Sequence, residues 1–182
     1  ISVGFIFGPT GFLFYHRFWN EPEKTAPVSL VETKTEVDIW QAPDSTLIPL
    51  TPEGDLIRYG RDLISHTAKY LGPKGTVRRM SNGMNCQNCH LRPGTKPFGN
   101  NYAAVASTYP RFRARSGTIE TIERRINDCI ERSLNGEKLD VNSVEMRAII
   151  AYFRWLGKNV KKGVTPKGTG ITTLPFLSRP AN

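Results

Sequence analysis

Eight residues, Met84 to Leu91, read MNCQNCHL, and within them Cys86, Cys89 and His90 form Cys-x-x-Cys-His. Two thiols at that spacing reach the two vinyl groups of one porphyrin as thioethers, and the histidine that follows gives its imidazole to the iron. This is the attachment signature of a c-type haem. Zinc would need four ligands at recognisable spacing, but only one further cysteine exists, Cys129, and no second Cys-x-x-Cys. A thioredoxin-like redox pair would sit in a βαβ setting, which the flanking residues do not suggest. One covalent haem c is therefore expected, attached through Cys86 and Cys89 with His90 as proximal ligand. An axial histidine needs a partner for its other ring nitrogen, and a backbone carbonyl is expected there.

The iron then has a sixth position to fill. Candidates are Met80, Met84, Met146, the other histidines and Cys129. Met84 stands two residues before Cys86, and Met80 is close too, so neither swings easily to the opposite haem face. Cys129 has Arg125 and Ser133 four residues to either side, one column of a helix. A neighbouring cation lowers a thiol's pKa, and the thiolate is both ligand and nucleophile. The competing role for a free cysteine is that of a small buried hydrophobe, which leaves Met146 as the alternative distal ligand.

Three helices must position these groups, and the expected fold is all-α, a cytochrome c-like haem domain over residues 51–160. Thr51-Pro52-Glu53-Gly54 starts the first helix, with Thr as N-cap and Pro at the first position. Leu56, Tyr59, Leu63 and Tyr70 follow at helical spacing until Gly72-Pro73. Gly60 costs that helix about 1 kcal/mol relative to Ala, which close approach of another helix would offset. His66 is expected on its surface. Arg92 to Pro110 is a long loop of the kind that wraps cofactors, with Tyr102 and Tyr109 either bordering the porphyrin or serving only packing. The second helix is expected from Thr118, its cap, to Leu134, with Ile119, Ile122, Ile126, Ile130 and Leu134 as its apolar stripe. The third runs from Ser143 to Leu156 and stops at Gly157, turning Ile149, Tyr152, Phe153 and Leu156 inward.

The flanks differ in character. Ile1 to Tyr15 carries no charge, and Tyr15, Arg17 and Trp19 resemble an interfacial belt. The run is shorter than the ~20 apolar residues of a spanning helix, yet the chain begins at Ile rather than Met. Residues 1–19 are accordingly expected to be part of an N-terminal membrane anchor, since no A-x-A-like cleavage site follows. Residues 20–50 read as an extended acidic linker, with a short strand near Val37 to Trp40 and Leu47 to Leu50 laid against the domain. Residues 161–182 read as a basic irregular tail. The formal net charge is +9, but Asn20 to Asp55 holds eight acids against two bases, whereas Leu56 to Asn182 holds 22 bases against eight acids, a net of +14. Such a field draws anions and acidic partners. No nucleic-acid-binding motif accompanies it, so nucleic acid is not expected as a partner.

Three stretches carry a family resemblance: Asn85 to Thr95, Tyr109 to Gly117 (YPRFRARSG), and Arg125 to Gly136 (RINDCIERSLNG). In that order they resemble the first haem domain of the thiosulfate dehydrogenases that form tetrathionate, over roughly Thr51 to Gly157. The resemblance implies that Cys129 is the distal ligand and reacts with thiosulfate, and that Arg115, Arg125 and Ser133 line the anion site. Two guanidiniums suit a sulfur oxyanion, since arginine gives planar, multi-donor recognition. Enzymes of that family commonly carry a second haem domain, and this sequence ends near where one would start, as a partial chain or as a single-haem relative serving a larger assembly. Two functions are therefore expected to compete. The leading one is a membrane-tethered electron carrier on the periplasmic side of a bacterial envelope, working with other cytochromes or a respiratory complex. The other is the catalytic domain of a thiosulfate dehydrogenase or tetrathionate reductase, which needs a partner because one haem takes one electron.

Overall fold

The computed structural model describes residues 38–172. The anchor expected over residues 1–19, and most of the acidic linker, lie outside the described residues. Among the described residues no helix is long and apolar enough to cross a membrane.

Helix α1 (Pro52–Ser65) begins as its sequence dictates. Thr51 accepts a hydrogen bond from the Gly54 N–H at 3.2 Å, Pro52 fills a position that needs no donor, and Glu53 and Asp55 face the positive end of the helix dipole. The helix breaks at His66, and a short helix α2 (Thr67–Leu71) continues to Gly72. His66 is exposed, as expected. Two helical turns follow, α3 (Leu91–Gly94) and α4 (Val105–Thr108), within the long loop. Helices α5 (Ile122–Ser133) and α6 (Val144–Leu156) are capped by Thr121 and Ser143.

The crossing of α1 on α6 organises the core. Ile57, Gly60, Leu63 and Ile64 face Ala148, Ile149, Tyr152 and Phe153, all buried. A Cβ on Gly60 would stand 2.0 Å from the Ala148 carbonyl oxygen, so the glycine is the close-approach point its sequence position implied. Gly60→Ala is expected to cost at least the ~1–3 kcal/mol of an overpacked core, read as a fall of several degrees in Tm of the haem-loaded protein.

The fold is mostly helical but not all-α. Strands β1 (Arg111–Arg113) and β2 (Thr118–Glu120) pair antiparallel, with Phe112 opposite Ile119. Thr118 therefore does not cap α5; Thr121 does, three residues later, accepting from the Arg124 N–H. Ile119 keeps helical spacing with Ile122 yet is 69% exposed on the hairpin, so periodicity extended the helix one turn too far. Near the start of the described chain, Asp38 to Trp40 form no strand. Trp40 and Ile48 reach the core, while Leu47 and Leu50 stay exposed. Residues 161–172, the described part of the basic tail, are irregular, as expected, but docked. The Trp40 N–H donates to Lys167 O, the Phe98 N–H to Gly168 O and the Asn100 N–H to Gly170 O.

Candidate functional site

The Cys-x-x-Cys-His segment is held by groups on the α1–α2 junction. A 3₁₀ turn, Cys86–Asn88, is closed by Asn85, whose N–H donates to Asn88 Oδ1 at 2.7 Å. Asn85 Oδ1 accepts from the Ala68 N–H, the Cys86 N–H donates to Thr67 Oγ1 at 3.0 Å, and Gln87 Nε2 donates to Ser65 O. These bonds fix where the two thiols point.

His90 is oriented from behind. Its Nδ1 lies 2.6 Å from the Asn100 carbonyl oxygen; a carbonyl can only accept, so Nδ1 carries the proton and Nε2 keeps its lone pair for a metal. Burial holds the imidazole below its usual pKa, with the Asn100 bond opposing and Arg125 assisting, which favours the neutral, ligating form. The ring stacks on Tyr102 at 4.3 Å, and Tyr102 lies 4.2 Å from Phe153. Since the Asn100 N–H is bonded to Gly170, the docked C-terminal segment stands directly behind this support.

These groups open onto a cavity of about 220 Å³. Close-packed interiors leave few voids larger than one water, so this space is a seat and not a packing defect. Cys86, Cys89 and His90 line it, with Ile64, Met84, Val105, Ile149 and Phe153 as apolar wall. Helix α5 contributes Ile122, Ile126, Cys129 and Ser133, one stripe at helical spacing, with Arg125 beside it. Two thiols, a free imidazole nitrogen and an apolar chamber suit haem c, and the residues present fit it. Tyr102 and Tyr109 both line the chamber.

Of the residues singled out by sequence, the structure brings together Cys86, Cys89, His90, Arg125, Cys129 and Ser133 in this one cavity. Arg115 is exposed in the hairpin turn and is not among the lining residues. Met146 is wholly buried in the core and Met80 nearly so, and neither lines the cavity. Burial pushes the Cys129 thiol up, against the pull of Arg125; Asp128 raises it further and Arg113 lowers it. Burial therefore outweighs the pull of the Arg125 guanidinium on this thiol, and a bound metal would act in the direction of Arg125. Sequence reasoning did not single out Tyr109's neighbour Arg113, which does not line the cavity and whose Nε lies 3.6 Å from Glu120 Oε2.

A covalent haem chamber closed by an early glycine-bearing helix and a late aromatic helix defines a c-type cytochrome domain. Residues 76–161 match the family described as SoxA/TsdA, cytochrome c domain, and the chain carries a haem c domain of that kind. Similar proteins include the thiosulfate dehydrogenase of Psychrobacter arcticus, 36% identical over 158 residues, covering 87% of this chain and 47% of that protein. The thiosulfate dehydrogenase of Allochromatium vinosum is 33% identical over 142 residues, covering 76% and 51%. Among solved structures, the thiosulfate dehydrogenase TsdBA of Marichromatium purpuratum superposes with a TM-score of 0.68 at 25% identity, covering 75% of this chain and 30% of that one. The chain thus spans about half the length of the relatives it matches.

Proposed function

We propose that this domain is the sulfur-oxidising haem site of a thiosulfate dehydrogenase. The observation that carries it is the meeting of Arg125, Cys129 and Ser133 with the haem-attachment residues in one cavity. In this reaction two thiosulfate ions join through a new S–S bond to give tetrathionate, and two electrons leave. Haem c, when bound, supplies a one-electron acceptor. With haem bound, Cys129 would serve as thiolate ligand and present its sulfur to the incoming sulfur. Arg125 draws and orients the oxyanion by charge-assisted hydrogen bonds, and Ser133 offers a further donor. Arg115, implied by the resemblance, is exposed and would act only at the entrance.

An electron carrier alone would need the haem but would give Arg125 and Ser133 no task at the cavity, and the names of the relatives favour the catalytic role. The electron partner is proposed to be another cytochrome, met on the periplasmic side. Tethering through residues 1–19 and membership of a respiratory complex remain part of the proposal.

The test is turnover. Purified haem-loaded protein, given thiosulfate and ferricyanide, should form tetrathionate with two ferricyanides reduced per tetrathionate. A protein that exchanges electrons with cytochromes but forms no tetrathionate would be a carrier. Within the active reading, Arg125→Met should raise KM for thiosulfate by about 10-fold or more, the worth of one charge-assisted hydrogen bond, while the haem stays attached.

A further inference from the structure

The Asn100 carbonyl that receives the His90 Nδ1–H sits on strained backbone. Phe98 and Asn100 have left-handed φ angles of 54° and 56°, and for a side chain as bulky as Phe that is an outlier. Such a conformation persists only where its surroundings over-determine it. Here the surroundings come from far later in the chain. The Phe98 N–H donates to Gly168 O at 2.6 Å and the Asn100 N–H to Gly170 O at 2.7 Å, while Gly99 pairs with Ile171 in an isolated antiparallel bridge. Asn101, 6% exposed, closes the clasp: its Nδ2 donates to Gly168 O at 2.7 Å and its Oδ1 accepts from the Ala103 N–H. On the other flank the Trp40 N–H holds Lys167 O.

We propose that residues 167–171 are a brace for the proximal ligand. Through the positioning residues Gly170 and Asn101 they hold the Asn100 carbonyl against His90, and so set the plane and donor strength of the imidazole presented to the iron. The inference rests on haem c at His90 and is independent of the thiosulfate reading. A firm bond at Nδ1–H makes imidazole the more basic ligand, which favours ferric iron. A loosened brace therefore raises the potential, axial ligation being a main lever on it.

Gly170 offers a clean test. Its φ is 85° and a Cβ there would meet nothing within 4 Å, so Gly170→Val acts through the backbone alone. A β-branched residue resists left-handed backbone, whereas asparagine tolerates it. Gly163 is the matched control, with φ 83° and equally open space. It lies on the same C-terminal segment, but its N–H donates to Ser107 O of α4 and not to the loop behind His90. Three quantities are read on haem-loaded protein: exchange of the Asn100 amide, the NMR shifts of the haem methyls in the oxidised state, which follow the plane of the axial imidazole, and the reduction potential. In Gly170→Val the Asn100 amide should exchange about tenfold faster, the worth of one side chain forced into left-handed backbone. The methyl shifts should spread differently. The potential should rise by ~28 mV, a threefold change in a one-electron equilibrium at about 59 mV per tenfold. Gly170→Asn should restore all three towards wild type, and Gly163→Val should leave all three unchanged. Faster Asn100 exchange in Gly170→Val with unmoved methyl shifts and potential overturns the brace. Unchanged Asn100 exchange in that variant overturns the part given to Gly170. A Gly163→Val protein that moves the methyl shifts and potential as far would show general loosening, and overturns the proposal too.

Discussion

Cys129→Ala is expected to stop tetrathionate formation, lowering kcat/KM on the order of 10³-fold or more, the scale at which loss of a reacting group differs from loss of a positioning one. The haem should remain attached, because the Cys86–His90 segment is held by Thr67 and Ala68 at the α1–α2 junction and by Asn100 of the long loop, not by α5. The reduction potential should rise, since an anionic thiolate donor stabilises the ferric state and axial-ligand identity is a main lever on haem potential. Cys129→Ser is the more instructive companion, nearly isosteric but without the soft sulfur donor. If Cys129 were only a small buried hydrophobe, both variants would keep wild-type potential and activity.

Loss of haem should be nearly as damaging to the fold as loss of Cys129 is to the chemistry. In Cys86→Ala/Cys89→Ala the thioethers cannot form, and intact mass should show bare polypeptide after denaturation. The cavity of about 220 Å³ would then lie open along its apolar wall. Exposing that apolar wall removes the packing the haem supplies to the core. The variant without haem is expected to lose its cooperative thermal transition, or to show it at a far lower temperature. Noncovalent haem held by His90 should restore part of it, and a haem-free double variant melting like the haem-loaded protein would show that the chamber is not built around the cofactor.

Much of this was legible in the sequence wherever the signal was local. Cys-x-x-Cys-His names its cofactor through spacing alone. Thr51 and Ser143 announced helix starts because the capping bond closes within three residues. Arg125, Cys129 and Ser133 could be placed in one column because helical geometry fixes i±4 neighbours, and all three line the cavity. The misses involve pairing at a distance. The β1–β2 hairpin was hidden because Thr118 and Thr121 are both plausible caps three residues apart, and Ile119 continues the helical stripe. The choice between them is made by Arg111–Arg113 across the turn, which no local pattern reports. The docking of Gly168 and Gly170 onto Phe98 and Asn100 joins segments some seventy residues apart through backbone groups, which side-chain chemistry does not encode.

X-ray absorption at the iron edge of the oxidised, haem-loaded protein, with Cys129→Ala measured alongside, tests the proposed site most directly. A sulfur atom in the iron's first coordination shell is predicted in the wild type, absent in Cys129→Ala. A shell of nitrogen alone in the wild type, or a sulfur that persists in Cys129→Ala and so comes from a methionine, would contradict thiolate ligation by Cys129.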